Sequence, residues 1–153
     1  TNEVKDITTK YDSIWDSNKE TIVFTGSSSV RLWKKLEQEF PNHQIVNSGF
    51  GGSQASDLLL FTDELILSYN PKKVFIYKGD NDLWKIRGKY KRLNRKMERF
   101  TKNDPQLYYV DVWKPMLNKR KLKTDIFIED GLHMNQKGYD IWFEAIKDLV
   151  NQP

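Results

Sequence analysis

Four short apolar runs, separated by amphipathic sequence, constrain this chain more than any other feature. They are Thr21–Thr25 (TIVFT), His43–Asn47 (HQIVN), Lys73–Tyr77 (KVFIY) and Leu107–Trp113 (LYYVDVW). They lack strict apolar–polar alternation, as expected of strands buried on both faces of a parallel sheet. Between the first two, Val30, Trp33, Leu36 and Phe40 recur at helical spacing ahead of Pro41, which predicts a helix and its stop. A second helix is expected over Ser53–Tyr69, opening on a capping residue and ending before Asn70-Pro71. Ile86, Tyr90, Leu93, Met97 and Phe100 define a third, Ile86–Thr101, and Tyr139, Trp142, Ile146 and Leu149 define the last. Strand and helix alternate throughout, so the expected class is α/β, a three-layer α/β/α sandwich in a single domain spanning 1–153. Right-handed crossovers put the C-terminal ends of its strands on one edge, where open α/β sheets bind ligands.

Composition narrows the chemistry. The 153 residues suffice for one core, and 38% hydrophobic with 30% charged content is globular. No apolar run approaches the ~18 residues of a membrane span, and Leu58–Phe61 is too short for a signal-peptide core. With no cysteine, disulfides, thiol nucleophiles and thiolate metal sites are excluded. His43 and His133 are the only histidines, so a histidine-rich metal site is excluded as well, and no metal or cofactor is expected. A formal charge of +4 favours anionic partners weakly and does not indicate nucleic acid. The first residue is Thr1 rather than Met, which is compatible with removal of an upstream segment. Cytoplasmic and secreted or periplasmic locations both stay open, as does oligomeric state.

The polar clusters fall after the strands. Gly26-Ser27-Ser28-Ser29 follows the first, Gly49-Phe50-Gly51-Gly52-Ser53 the second and Gly79-Asp80-Asn81-Asp82 the third, while Asp130-Gly131-Leu132-His133 lies beyond a loop after the fourth. Asp130 and His133, three apart, can face each other across one turn. The carboxylate can then fix the imidazole tautomer and leave the other ring nitrogen as a base. Taken alone, the pair reads equally well as a helix cap and a surface histidine. A serine at the first strand-to-helix turn can supply a nucleophile, although three serines there are also ordinary turn residues. The glycine turn offers backbone N–H groups and Asn81 a side-chain amide for a developing oxyanion. Together on one edge, in compatible roles, the four clusters describe an acyl-transfer site.

These blocks resemble the SGNH hydrolase family, also called GDSL-type lipases and esterases, over most of the chain. Gly26-Ser27-Ser28-Ser29 matches the first family block, Asn47-Ser48-Gly49-Phe50-Gly51-Gly52 the second, Gly79-Asp80-Asn81-Asp82 the third and Asp130-Gly131-Leu132-His133 the last. The resemblance implies a Ser28–His133–Asp130 triad, with Ser28 as nucleophile and Ser27 standing where the family often has Asp. It implies an oxyanion hole built from Ser28, Gly52 and Asn81. It also implies a flavodoxin-like parallel sheet, and a serine esterase acting on small acyl esters, acetyl above all. Acetylated carbohydrates and lysophospholipids are the implied substrate candidates.

One departure bears on activity. The family order 2-1-3-4-5 implies helix, strand, helix and strand between the third and last blocks, but this interval holds only Ile86–Thr101 and Leu107–Trp113. An internal deletion of a helix–strand unit near Trp84-Lys85-Ile86 is the expectation, with four strands in order 2-1-3-4. The vacated place would displace the last strand by ~4.8 Å, and ~1 Å at a reacting centre can cost ~10²-fold in rate. An alternative reading is therefore a catalytically impaired relative that binds a carbohydrate or acyl ligand in the same cleft. A phosphate binder using Gly26–Ser29 leaves Asp130 and His133 unexplained. The eight basic residues from Arg87 to Lys102 read as a solvated helix face, without the aromatic pattern of single-strand nucleic-acid binding.

Overall fold

All six residues of the strand Thr21–Gly26 (β1) are buried, because both of its faces and both of its edges are covered. The computed structural model of the chain describes residues 2–52, 54–78 and 90–153, without the side chains of 90 and 91. It divides into two compact units, Thr1–Asp82 and Leu83–Pro153.

In the first unit β1 is flanked by Gln44–Asn47 (β2) and Lys73–Tyr77 (β3), both parallel to it, in the order β2-β1-β3. The register aligns Val23 with Val46 and with Val74, and Phe24 with Asn47 and with Phe75. Phe24 and Phe75 stack at 4.7 Å between centroids, a cross-strand aromatic contact worth about 0.5–1.5 kcal/mol beyond its area. Val23 and Val46 face a core shared with Val4 and Tyr11 of the helix Asn2–Asp12 (α1), and with Leu58, Leu65, Ile66 and Tyr69. Phe24 points the other way, edge-on to Trp33 and stacked near Phe40. Helical segments thus cover both faces of this sheet, the layering expected of the α/β class.

The apolar spacing Val30–Trp33–Leu36–Phe40 marks the buried face correctly, with all four buried, but not one continuous helix. Ser28–Arg31 (α2) and Leu36–Glu39 (α3) are separate helical turns. Across the break, the buried Trp33 indole donates to Glu39 Oε2 at 2.8 Å. The helix expected over Ser53–Tyr69 is likewise segmented, into Ala55–Leu60 (α4), Thr62–Leu65 (α5) and a 3₁₀ turn at Leu67–Tyr69. Its cap is Gln54, in a capping box with Asp57; Ser53 lies outside the described residues. It stops at Asn70, whose φ of +42° is left-handed, directly before Pro71.

In the second unit Tyr90–Thr101 (α6) and Gln136–Asn151 (α7) are the long helices; the expected start at Ile86 lies outside the described residues. A short antiparallel hairpin, Leu117–Asn118 (β4) with Lys121–Leu122 (β5), turns through Lys119 and Arg120 at positive φ. Tyr139, Trp142, Ile146 and Val150 are the buried face of α7, with Leu149 half-buried, and Met116, Ile126 and Met134 are buried in the same unit.

Leu107–Trp113, expected as the fourth strand, carries no β ladder, so the parallel sheet counts three strands among the described residues. Local bonds take up several of its backbone donors. Val112 N–H donates to Val110 O at 3.1 Å, and Asp111 Oδ1 accepts from the N–H groups of Trp113 and Lys114 at 3.1 and 3.0 Å. An Asx turn of this kind ends an extended run. β3 also departs from the expectation of burial on both faces, since Val74 and Ile76 are exposed.

Candidate active site

The turn after β1 is held by glycine geometry. Gly26 has φ +140°, and a Cβ there would fall 1.9 Å from Tyr77 O, so no other residue fits between β1 and the end of β3. Ser27 N–H donates to that same carbonyl at 3.2 Å. The three serines then separate by environment. Ser27 is fully buried and caps α2, its hydroxyl accepting from Ser29 N–H, and Ser29 is 9% exposed. Ser28 alone among them is half-exposed, the condition a nucleophile must meet.

The turn after β2 packs onto this one. Phe50 N–H donates to Gly26 O at 3.1 Å, and Ser48 N–H to Phe24 O at 2.8 Å. Asn47 ties the two through its side chain, donating to Val30 O at 2.9 Å and accepting from Gly49 N–H at 3.2 Å. A Cβ on Gly49 would meet Arg31 N at 2.5 Å, so the two turns touch backbone to backbone. Gly52 follows at φ +63°, and among the described residues nothing lies within 4 Å of where its Cβ would stand. The turn therefore opens toward solvent in a conformation that favours glycine. Ser28 and Gly52 thus stand on two turns locked to each other at the C-terminal edge of the sheet. Asn81, the third expected oxyanion group, lies outside the described residues, as do Gly79 and Asp80.

In the second unit Asp130 and His133 form the expected pair. His133 Nδ1 stands 2.6 Å from Asp130 Oδ2, while Asp130 Oδ1 accepts from the N–H groups of Leu132 and His133, both at 2.9 Å. Gly131 supplies the positive φ, +66°, that closes this turn. The hydrogen bond to the His133 ring, and after it the two backbone donors, hold the Asp130 carboxyl at about 2, below the usual carboxylate range. An ionised Asp130 fixes the proton on Nδ1 and puts the lone pair of a neutral His133 on Nε2. The loop is anchored on either side. Ile128 N–H donates to His133 O at 2.9 Å. Asn135, the cap of α7, donates to Asp125 O and Phe127 O at 2.9 and 3.1 Å. Gly138 lets the first turn of α7 approach, since a Cβ there would lie 2.7 Å from Ile126 O.

Three features were not read from the sequence. Lys78, directly after β3, places Nζ 4.9 Å from the centroid of the Phe50 ring, a cation–π contact that accounts for a lysine at the end of an apolar strand. Helix α1 was missed, although Val4, Ile7 and Tyr11 repeat at helical spacing. With it went Glu3, whose carboxylate accepts from Gly51 N–H at 2.8 Å through Oε2 and pairs with Arg31 Nη1 through Oε1. Both side chains are about 40% exposed. Such a pair contributes ~0–1 kcal/mol, so its geometry matters more than its stability. Among the described residues there is no cluster of His, Asp and Glu able to hold a metal, and no helix long and apolar enough to cross a membrane.

No protein-family model and no curated protein sequence matches the chain. Solved structures do. A GDSL-like lipase from Bacteroides thetaiotaomicron superposes with a TM-score of 0.80 at 19% identity, covering 96% of this chain and 96% of that one. A protein described as an acylhydrolase, from Bacteroides fragilis, gives 0.82 at 17% identity over 96% and 95%. A single-residue variant of an acetyl xylan esterase from Geobacillus stearothermophilus gives 0.59 at 15% identity over 86% and 94%. The chain has the SGNH hydrolase fold.

Proposed function

We propose that the chain is a serine esterase that hydrolyses small acyl esters, with Ser28, His133 and Asp130 as its triad and Thr1–Asp82 and Leu83–Pro153 as parts of one domain. The observation that carries the reading is the Asp130–His133 pair at 2.6 Å, in a chain whose β1 turn offers one half-exposed serine between two buried ones. In this mechanism His133 Nε2 takes the Ser28 proton as Oγ adds to the ester carbonyl. Asp130 holds the imidazole and stabilises the imidazolium. Backbone N–H groups of Ser28 and Gly52, with the Asn81 amide, receive the oxyanion. Collapse expels the alcohol, which takes the proton from His133, and water then releases the acyl group from Ser28 by the reverse sequence.

Acetylated carbohydrate is the favoured substrate class, supported by the fold shared with an acetyl xylan esterase; a lysophospholipid is the second candidate. The purified protein is expected to release p-nitrophenol from p-nitrophenyl acetate, and to do so faster than from the octanoate or palmitate. A preference for the long chains contradicts the small-acyl assignment. Absence of turnover on every ester tested, with a cooperatively folded protein, contradicts the esterase itself.

A further inference from the structure

The oxyanion turn is fastened from outside the four motif blocks. Gly51 immediately precedes Gly52, and its N–H points into the Glu3 carboxylate at 2.8 Å. The other oxygen of that carboxylate pairs with Arg31, the last residue of the helix that begins at Ser28. The Arg31 guanidinium also lies flat over Gly51, since a Cβ there would meet Nη2 at 3.1 Å, Cζ at 3.2 Å and Nη1 at 3.5 Å. Gly51 therefore has one side taken by a carboxylate and another by a guanidinium, which a side chain there would push back by a few tenths of an ångström. The peptide plane before Gly51 is fixed by the hydrogen bond and its Cα by the guanidinium. The next N–H, that of Gly52, is joined to this plane through Gly51 Cα. Helix α1 is itself seated by Val4 and Tyr11 in the core, and Tyr11 OH accepts from Asn47 N–H at 2.8 Å at the end of β2. The carboxylate is thus carried on a packed element rather than on a loose terminus.

We propose that Glu3 is a positioning residue for ester hydrolysis: through Arg31 and Gly51 it holds the oxyanion-hole turn in register with the helix that carries Ser28. The inference rests on the esterase reading and adds to it a residue that touches neither substrate nor nucleophile. Its action belongs to the transition state, because the oxyanion forms only there, so loss of Glu3 lowers kcat and leaves KM nearly unchanged. Displacements of ~1 Å at a reacting centre cost ~10²-fold, which sets the scale of the effect.

The test is steady-state kinetics on p-nitrophenyl acetate with the full chain. Glu3→Ala is expected to reduce kcat by about 10- to 100-fold with KM changed less than about threefold. Glu3→Gln keeps an oxygen acceptor for Gly51 N–H but sets its NH₂ against Arg31, so it should recover only part of the loss. Arg31→Ala should resemble Glu3→Ala, and the double variant should be no worse than either alone, as for two parts of one device. Lys5→Ala, exposed on the same helix, serves as the control for a general effect on α1. The amide proton of Gly51, followed by hydrogen exchange, should lose protection in Glu3→Ala and keep it in Glu3→Gln. Unchanged kcat in Glu3→Ala while the wild type is active overturns the positioning role and leaves the esterase reading standing. So does an Arg31→Ala variant with unchanged kcat. A wild type without turnover overturns both.

Discussion

Ser28→Ala is expected to lower turnover of p-nitrophenyl acetate by about 10⁵- to 10⁶-fold while the protein remains folded, since removing the nucleophile of a serine triad costs on that order. The neighbouring serines provide the contrast. Ser27→Ala removes the cap of α2, whose hydroxyl accepts from Ser29 N–H, so it should cost about 0.5–2 kcal/mol of stability and leave a measurable rate. Ser29→Ala alters a buried side chain behind the site and should behave likewise. Steady-state rates with matched thermal unfolding curves check all three. A Ser28→Ala protein that retains more than a hundredth of the wild-type rate excludes Ser28 as nucleophile.

The second large effect is expected at Asp130, where the isosteric amide separates shape from charge. In Asp130→Asn the side-chain oxygen can still accept from Leu132 and His133 N–H, the two bonds at 2.9 Å that close the turn. The amide NH₂ would then face His133 Nδ1, where a carboxylate oxygen stands at 2.6 Å. A donor in that place demands a lone pair on Nδ1 and moves the proton to Nε2, which could then no longer act as the proposed base. A drop of about 10⁴-fold in kcat is expected, with the loop and the unfolding temperature little changed. Acid behaviour follows from the depressed carboxyl of Asp130, at about 2. A folded value below the unfolded one stabilises the folded state above the ordinary carboxylate range, ~3.9, and the effect is lost as pH falls toward 2. Activity lost on acidification above about pH 4 is therefore not loss of the Asp130 charge. Full activity in Asp130→Asn contradicts its role.

The parts of this molecule that could be read from sequence are those in which one local pattern has one physical solution. The unbroken apolar run TIVFT reads as a central strand, and β1 is buried along its whole length. The pair Asp130–His133, separated by Gly131 and Leu132, is closed within a single turn, so no distant contact is needed to form it. The order β2-β1-β3 matches the start of the order that the family resemblance implies. Patterns with two solutions were read less well. LYYVDVW looks like a strand by composition, yet Asp111 turns its side chain onto the backbone and ends the run. Val30 through Phe40 keeps helical spacing across a break, because Trp33 and Phe40 meet the same Phe24 ring from two separate turns. The role of Glu3 could not be read at all. Its partners stand 28 and 48 positions away, and only the packing of α1 brings them within reach.

The most direct measurement of the central claim is covalent trapping. The protein is incubated with a fluorophosphonate, its intact mass is recorded, and the modified residue is located by peptide fragmentation. The account predicts a single adduct on Ser28, formed in Ser27→Ala and Ser29→Ala, absent in Ser28→Ala, and strongly slowed in His133→Ala, where the base is removed. An adduct that persists in Ser28→Ala, or a folded wild-type protein that takes up none, contradicts it.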